Sequence, residues 1–149
     1  MASVEEIKGL VGTEVFLSDW TEVNQDQINQ FADCTRDHQW IHVDVEKAKN
    51  GPFGQTIAHG FLTLSHLPFF GYQVPLRFED AKMSINYGLN KVRFLNPVLS
   101  GSKILDRIVL TGLEDKGGGR YLMIQTHTIE IEGVDKPACI AEALSMIFT

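Results

Sequence analysis

Two side chains able to transfer protons, Asp37 and His42, stand five residues apart in a segment without regular periodicity. In a loop, this spacing lets the carboxylate and the imidazole converge on one small volume. Facing each other within hydrogen-bond reach, the two groups can hold a water molecule and pass protons in both directions. Histidine contributes a side-chain pKa near neutrality. The spacing therefore indicates an acid–base pair, although an Asp that caps the following turn beside a structural His fits the same pattern.

The segment 54–60 is a second candidate, because it leads into a predicted helix. The first N–H groups of a helix have no acceptors within the helix and lie at the positive end of its dipole. A glycine at this point lets a carbonyl group of a ligand approach the backbone closely. We therefore expect the N–H of Gly60 to polarise a carbonyl oxygen, as an oxyanion hole does. The alternative is a glycine required for packing of the helix on a sheet. His59 beside it is expected to be structural.

The histidines show no spacing that is typical of metal ligands. Neither an HxH nor an HExxH pattern occurs, and Cys34 and Cys139 are not part of a CxxC pair. Zinc sites depend on closely spaced Cys and His ligands, so we expect no metal. The cysteines are expected to be reduced, partly buried thiols. The Gly-x-Ser-x-Gly motif of many serine hydrolases is also missing.

Composition favours one globular domain. The chain has 149 residues, of which 44% are hydrophobic and 21% charged. Its 13 Lys and Arg against 19 Asp and Glu give a net charge of −6, without a basic run, which disfavours nucleic-acid binding through phosphate contacts. The N-terminus has two early glutamates, and polar residues interrupt the apolar stretch 57–70. We expect a soluble, cytoplasmic protein without a signal peptide or membrane span.

The first half of the chain has the periodicity of helices. We predict a helix over residues 25–35, with Asn24 as its N-cap, and a single helical turn over 44–49. Residues 36–43 lack a clean period and are predicted as a loop. The longest predicted helix covers residues 56–69. Because apolar residues cover nearly all of its sides, we expect it to be buried, and the proline near its end should end or kink it.

The second half of the chain has the alternation of strands. The apolar parity switches near Gly88 and Asn90, which indicates a β-bulge or bend in one long strand. Counting one short strand near the N-terminus, the predicted strands cover residues 14–20, 84–97, 103–113, 121–132 and 138–148. In the last strand, five apolar residues are expected to share one face: Ala138, Ile140, Leu144, Met146 and Phe148.

One buried helix against long antiparallel strands is an α+β layer arrangement. A curved antiparallel β-sheet wrapped around a central helix resembles the hot-dog fold. A single helix covers a sheet face poorly, and the sheet leaves open edges. We therefore expect a single hot-dog domain over residues 1–149 that forms dimers through an edge or a face.

Three blocks of the sequence, in order, resemble those of the MaoC-like dehydratase family, which includes NodN-like proteins and (R)-specific enoyl-CoA hydratases. The second block is residues 57–60, the third is residues 84–94, and the resemblance extends over residues 15–148. The first block matches the hydratase motif at Phe31, Asp37, Ile41, His42 and Ala48.

The same block departs from the motif at three positions. Arg36 stands where the motif has glycine, and Gln39 and Trp40 replace its Asn-Pro pair. These replacements leave Asp37 and His42 in place, but they change the shape of the loop and bear on the preference for the acyl chain.

The resemblance implies reversible hydration of trans-2-enoyl thioesters to (R)-3-hydroxyacyl thioesters. Asp37 and His42 would hold and activate the water and return a proton to the α-carbon, while the N–H of Gly60 would polarise the thioester carbonyl. It implies a homodimer with an acyl tunnel near the central helix. It implies no cofactor, because coenzyme A or an acyl carrier protein belongs to the substrate. The other residues expected to contact substrate are Trp40, Gly54, Ile57, His59 and Ser65.

Two further functions remain open at this point. A hot-dog thioesterase is disfavoured, because many thioesterases of this fold carry an acidic residue on or beside the central helix, and residues 56–70 contain no Asp or Glu. A non-catalytic module that binds acyl thioesters is the other alternative. The altered loop around Gln39 and Trp40 is the feature that favours it.

Overall fold

The computed structural model describes all residues, 1–149, as six helices and six strands. In chain order the elements are α1 (Val4–Gly9), β1 (Thr13–Leu17), β2 (Thr21–Val23), α2 (Gln25–Thr35), α3 (Trp40–Val43), α4 (Val45–Ala48), α5 (Gly60–Ser65), α6 (Leu67–Gly71), β3 (Met83–Phe94), β4 (Ser102–Asp115), β5 (Arg120–Ile131) and β6 (Cys139–Phe148). The predicted helix over residues 25–35 is confirmed, together with its N-cap, since the Asn24 side chain accepts the N–H of Gln27 at 2.9 Å.

All six strands form one antiparallel sheet. In the order β1-β4-β5-β6-β3, strand β3 lies at one edge, and β2 also pairs with β4 near the other. The predicted bulge in β3 is confirmed by register shifts between Asn86 and Gly88 and between Leu89 and Lys91. Each bulge adds a residue to one strand and increases the local twist, so β3 is bent at these two positions.

The main core lies between the sheet and helices α2, α5 and α6. Ile28 of α2 and Phe70 of α6 are fully buried in one cluster with Ile104, Ile108 and Ile129 of strands β4 and β5. This packing confirms the expected α+β layers. None of the helices has the length and apolar character that crossing a bilayer requires.

The prediction of one continuous helix over residues 56–69 is wrong. Ile57 and Ala58 are extended, because the N–H of Ala58 donates to the carbonyl of Val98 at 2.8 Å and Ile57 forms a β-bridge. The helix begins only at Gly60 and breaks before α6. Pro68 lies in the first turn of α6, where its missing N–H costs no hydrogen bond.

The expectation that this helix is buried on nearly all sides is also wrong. Leu62 and Thr63 of α5 are buried, but Phe61 is 68% exposed, and Phe69 of α6 is 48% exposed. Apolar residues on both sides of a helix indicate burial only where both sides pack against other parts of the same chain. In α5 and α6, one side faces outward.

Ile140, Leu144, Met146 and Phe148 share one face of β6, as predicted, but this face is not the buried one. Cys139, Ala141 and Ile147 are buried on the core side of β6, whereas Ile140 is 38% exposed. Both parities of this strand are rich in apolar residues, so alternation alone could not decide between them.

Smaller differences lie in the first half of the chain. The strand over residues 14–20 ends at Leu17 and is followed by the short β2, while the predicted loop over 36–43 contains the single turn α3. Both cysteines are free, but Cys34 is exposed rather than partly buried.

Adjacent phenylalanines of α6 provide a test of this core. We expect Phe70→Ala to lower the free energy of unfolding by about 3–5 kcal/mol, because it empties a fully buried position. Phe69→Ala removes a ring that is 48% exposed and should cost much less. Urea denaturation of both variants gives the comparison, and equal losses would contradict the described packing.

Candidate active site

His42 is held in the one-turn helix α3 by the extended segment before α5. Its Nδ1 atom lies 2.7 Å from the carbonyl oxygen of Ile57. A carbonyl oxygen can only accept, so Nδ1 carries the hydrogen, and in the neutral ring Nε2 carries a lone pair. The N–H of Ile57 in turn donates to the carbonyl of Ile41 at 3.0 Å. The same backbone segment therefore determines both the position and the tautomer of His42.

Asp37 lies in the short connection between α2 and α3. Helix α2 ends at Arg36 in the left-handed conformation, with φ of 65°, at the position where the family motif has glycine. The Asp37 Oδ1 atom accepts the N–H of Gln39 at 3.3 Å, so this side chain does cap the following turn. Its carboxylate is 54% exposed and its second oxygen is free to bind a water or a substrate.

His59 lies between these two side chains. Its Nε2 atom donates to the backbone carbonyl of Asp37 at 2.9 Å and lies 4.0 Å from the Asp37 Oδ2 atom. Its ring stacks on His42 with 3.8 Å between centroids, and Phe31 packs on it at 5.0 Å. The buried Nδ1 atom of His59 has no hydrogen-bond partner. His59 therefore positions the Asp37 loop against His42.

The side chains of Asp37, His42 and His59 converge as the spacing of the first two predicted. One nitrogen or oxygen atom from each lies within 4.8 Å of the others. Two protein atoms that each form a hydrogen bond of ordinary length with the same water lie roughly 4.5 Å apart. The arrangement can hold one water between the carboxylate and an imidazole. The same donor set, two imidazoles and one carboxylate, is also compatible with a divalent metal ion.

Burial lowers the pKa of the His42 side chain below its ordinary value of 6.5, and the neighbouring His59 lowers it further. The hydrogen bond to Ile57 and the charge of Asp37 act in the opposite direction but are weaker than burial. His42 is therefore neutral near pH 7, with Nε2 as an acceptor.

Gly60 is the first residue of α5, beside this cluster. Its N–H has no acceptor in the protein, as expected for the first turn of a helix. A Cβ atom at this position would come within 3.1 Å of the Phe94 ring. The close approach to Phe94 supports the alternative that glycine is required here for packing. This requirement is compatible with a Gly60 N–H that faces a ligand.

Gln25 is a contributor that sequence reasoning missed. Its side-chain amide donates to the carbonyl of His42 at 2.7 Å and accepts the hydroxyl of Thr56. It thereby ties α2 to α3 and to the segment before α5. No motif or spacing marks this residue, because its partners are 17 and 31 positions away along the chain.

The other predicted contact residues are spread more widely. Ile57 acts through its backbone on His42, and Trp40 packs on Gly51 with the Lys47 ammonium 4.6 Å from its ring. Gly54 lies in an exposed turn with φ of 74°. Ser65 lies at the far end of α5 and lines a cavity of about 870 Å³. Their contact with substrate stays a prediction.

Comparison with known proteins adds independent findings. Residues 6–132 match the family model described as MaoC like domain. The 3-hydroxyacyl-thioester dehydratase Z of Mycobacterium tuberculosis is 49% identical over 142 residues, which are 95% of this chain and 93% of that protein. Nodulation protein N of Rhizobium leguminosarum bv. viciae is 40% identical over 146 residues, covering 97% and 91% of the two chains.

Solved structures share the fold. A monoamine oxidase regulatory protein from Archaeoglobus fulgius has a TM-score of 0.79 at 27% identity, over 93% of this chain and 90% of that one. An (R)-hydratase from A. caviae involved in PHA biosynthesis has a TM-score of 0.73 over 89% and 94% of the chains; at 23% identity, this likeness shows the fold alone. The hot-dog fold expected from the sequence is confirmed.

Two buried imidazoles predict how stability depends on pH. Burial lowers the pKa values of His42 and His66 below 6.5. Above pH 6.5 neither the folded nor the unfolded chain protonates them, so they leave stability unchanged there. Below pH 6.5 the unfolded chain binds these protons first, and the free energy of unfolding falls until the folded pKa values are passed.

Urea denaturation between roughly pH 7.5 and pH 5, with an NMR titration of the imidazole protons, measures this effect. We expect His42 and His66 to titrate below 6.5. An imidazole of either residue that titrates at or above this value contradicts the described burial.

Proposed function

The chain belongs to the MaoC-like dehydratase family, and we propose that it catalyses the reversible hydration of trans-2-enoyl thioesters to (R)-3-hydroxyacyl thioesters. The observation that carries the proposal is the convergence of Asp37, His42 and His59, with the Nε2 lone pair of His42 available. The similarity to a 3-hydroxyacyl-thioester dehydratase at 49% identity supports the substrate class. Coenzyme A and an acyl carrier protein are both suitable carriers of the acyl group.

In the hydration direction, Asp37 and His42 hold one water beside the double bond of the substrate. His42 Nε2 accepts a proton from this water while its oxygen forms a bond to the β-carbon, and the Asp37 carboxylate orients the second O–H. The electron pair of the double bond then takes a proton at the α-carbon, and His42 returns the one that it accepted. Dehydration is the reverse. All atoms and electrons balance without an oxidant or reductant, so the proposed reaction uses no redox cofactor.

The N–H of Gly60 is the proposed donor to the thioester carbonyl. Negative charge develops on this oxygen when the α-carbon becomes enolate-like, and a donor already aimed at it stabilises the transition state more than the ground state. Because water and proton come from the same cluster, we propose addition to one face of the double bond. This gives one enantiomer, assigned here as (R) from the family.

We also propose a homodimer. The edge strand β3 exposes apolar side chains along its length, including Ile85, Tyr87 and Leu89, and the neighbouring helices expose Phe61 and Phe69. An exposed edge strand of 12 residues is open to pairing with another chain. A second copy related by a twofold axis pairs the same edge on both sides and covers these side chains.

The acid–base pair is tested by Asp37→Asn and His42→Asn. Each should lower turnover of a trans-2-enoyl-CoA at least about 100-fold, because His42→Asn removes the group that accepts the proton and Asp37→Asn removes the carboxylate that orients the water. His38→Asn is the matched control, since His38 is exposed and bonds to Asp33 instead. Loss of the enoyl absorbance gives the rate, and chiral chromatography of the product gives its configuration.

Circular dichroism and the melting temperature show whether the variants are folded. Near-normal rates in both folded variants would rule out the pair. Treatment with a chelator separates proton transfer by side chains alone from a metal-bound water at the same three residues. We expect full activity after chelation, and loss restored by a divalent ion would assign the cluster to a metal instead.

The homodimer is tested by placing charge on the edge strand. We expect Ile85→Glu combined with Tyr87→Glu to convert the protein to a folded monomer, because carboxylates would replace two exposed apolar side chains that the second copy would cover. Val134→Glu is the control, as Val134 is similarly exposed but lies in the turn before β6, beside the end of β3 opposite to Ile85 and Tyr87. Light scattering after size exclusion gives the mass, and a wild-type monomer contradicts the proposal.

A further inference from the structure

The cavity of about 870 Å³ is formed by residues outside the candidate active site, since Asp37, His42, His59 and Gly60 do not line it. Its wall includes Ser65 of α5, the chain after α6, and strands β3, β5 and β6. Most of the lining residues are hydrophobic. Its volume lies in the range of cavities that bind small molecules.

A buried imidazole belongs to the wall of this cavity. His127 of β5 is 3% exposed, and its Nδ1 atom donates to the Asp106 Oδ2 atom at 2.6 Å. The opposite nitrogen, Nε2, has no hydrogen-bond partner. Two unpaired side-chain atoms are sealed from solvent, His59 Nδ1 and Asp106 Oδ1, and His127 Nε2 is not one of them. Nε2 therefore retains accessible surface, and the cavity is the space that His127 lines.

Asp106 serves to orient this ring. It is fully buried on β4, and the Ser18 hydroxyl accepts its backbone N–H at 2.8 Å, which holds the strand in place. One carboxyl oxygen bonds to His127 and the other has no partner. A buried carboxyl with an unpaired oxygen is unfavourable. The unpaired Asp106 oxygen is sealed within the protein, so of the two unpaired atoms only His127 Nε2 can meet a ligand.

Further polar groups without partners in the protein line the same cavity as His127. Gln125 precedes it by two residues on the same face of β5, and Ser145 and Asn86 lie on the neighbouring strands β6 and β3. None of these three side chains forms a hydrogen bond in the protein, in contrast to the Ser65 hydroxyl, which donates to the Phe61 carbonyl. Gln125 and Ser145 are half-buried, whereas Asn86 is exposed. A saturated alkyl chain that covered Gln125 and Ser145 would remove their polar atoms from water without pairing them, which carries a free-energy cost.

We propose that this cavity receives the end of the acyl group remote from the thioester and selects chains that carry a hydroxyl or oxo group there. His127 Nε2 and the Gln125 amide are the hydrogen-bond partners of that oxygen, and Asp106 is a positioning residue that acts through His127. Helix α5 connects the two sites: Gly60 at its start belongs to the candidate active site and Ser65 at its end lines the cavity, roughly 7 to 8 Å along the axis. The inference rests on the proposed function.

Matched substrates test the selection. We would measure kcat/KM for trans-2-enoyl-CoA thioesters of increasing chain length, each with and without a terminal hydroxyl. At the length that reaches the cavity, we expect the wild type to favour the hydroxylated substrate by roughly tenfold, because the plain chain leaves polar groups unpaired. Equal values at every length, with turnover intact, would overturn the selection and leave the proposed function standing.

Variants assign the preference to residues. Gln125→Leu, His127→Phe and Asp106→Asn should each lower kcat/KM for the hydroxylated substrate more than for the plain one, which reduces the ratio between the two. Thr126→Val is the control, since Thr126 lies between Gln125 and His127 on β5 but does not line the cavity. Should the buried pair be needed for folding, Gln125→Leu decides alone. A ratio unchanged in folded Gln125→Leu contradicts the assignment.

A binding measurement separates failure of this inference from failure of the proposed function. Calorimetry with a free fatty acid and its terminally hydroxylated counterpart requires no turnover. If no thioester reacts, tighter binding of the hydroxylated acid that is lost in Gln125→Leu still supports the cavity as the site. Equal binding of the two acids, or a preference that survives the substitution, overturns it.

Discussion

The hydrogen bond from His42 Nδ1 to the carbonyl oxygen of Ile57 is the interaction on which the candidate active site depends. It selects the tautomer whose Nε2 atom accepts, and it joins a helical turn to a segment 15 residues later. The carbonyl is available because Ile57 is extended, and the N–H of the same residue already donates to Ile41. A helix that began at residue 56 would have directed this carbonyl along its own axis. The late start of α5 is thus a requirement of the site.

The same constraint explains why Gly60 opens the helix. Residues 56–58 pair with neighbouring backbone. This pairing ends at His59, so the helix begins at Gly60, whose N–H has no acceptor. His59 then stacks on His42 and donates to the Asp37 backbone, which brings the loop after α2 to the helix start. A ring buried at this point stabilises the loop although Arg36 takes a left-handed conformation there. Backbone pairing, ring stacking and loop geometry therefore place one acceptor, one carboxylate and one N–H together.

Sequence reasoning found the parts of this arrangement that are local. The five-residue spacing of Asp37 and His42, the cap at Asn24 and the bulge in β3 all follow from short stretches of chain. It missed Gln25, the late start of α5 at Gly60, and the buried face of β6, because each depends on partners distant in sequence. In β6 both parities are apolar, so only pairing with β5 and packing against the helices select the face. The rule that apolar residues mark a buried face also fails at Phe61, whose side chain is apolar but largely exposed.

Two buried imidazoles, one on α3 and one on β5, are held in the same manner. In each, Nδ1 donates to an oxygen and Nε2 is left for a ligand, but His42 uses a backbone carbonyl and His127 uses the Asp106 carboxyl. Burial raises the pKa of that carboxyl, opposed by its bond to His127. Burying such a pair is expensive unless its polar atoms find partners. A tunnel for an alkyl chain needs only apolar walls. The proposed binding of a polar group by His127 gives the buried Asp106 carboxyl a role, because Asp106 orients the His127 ring.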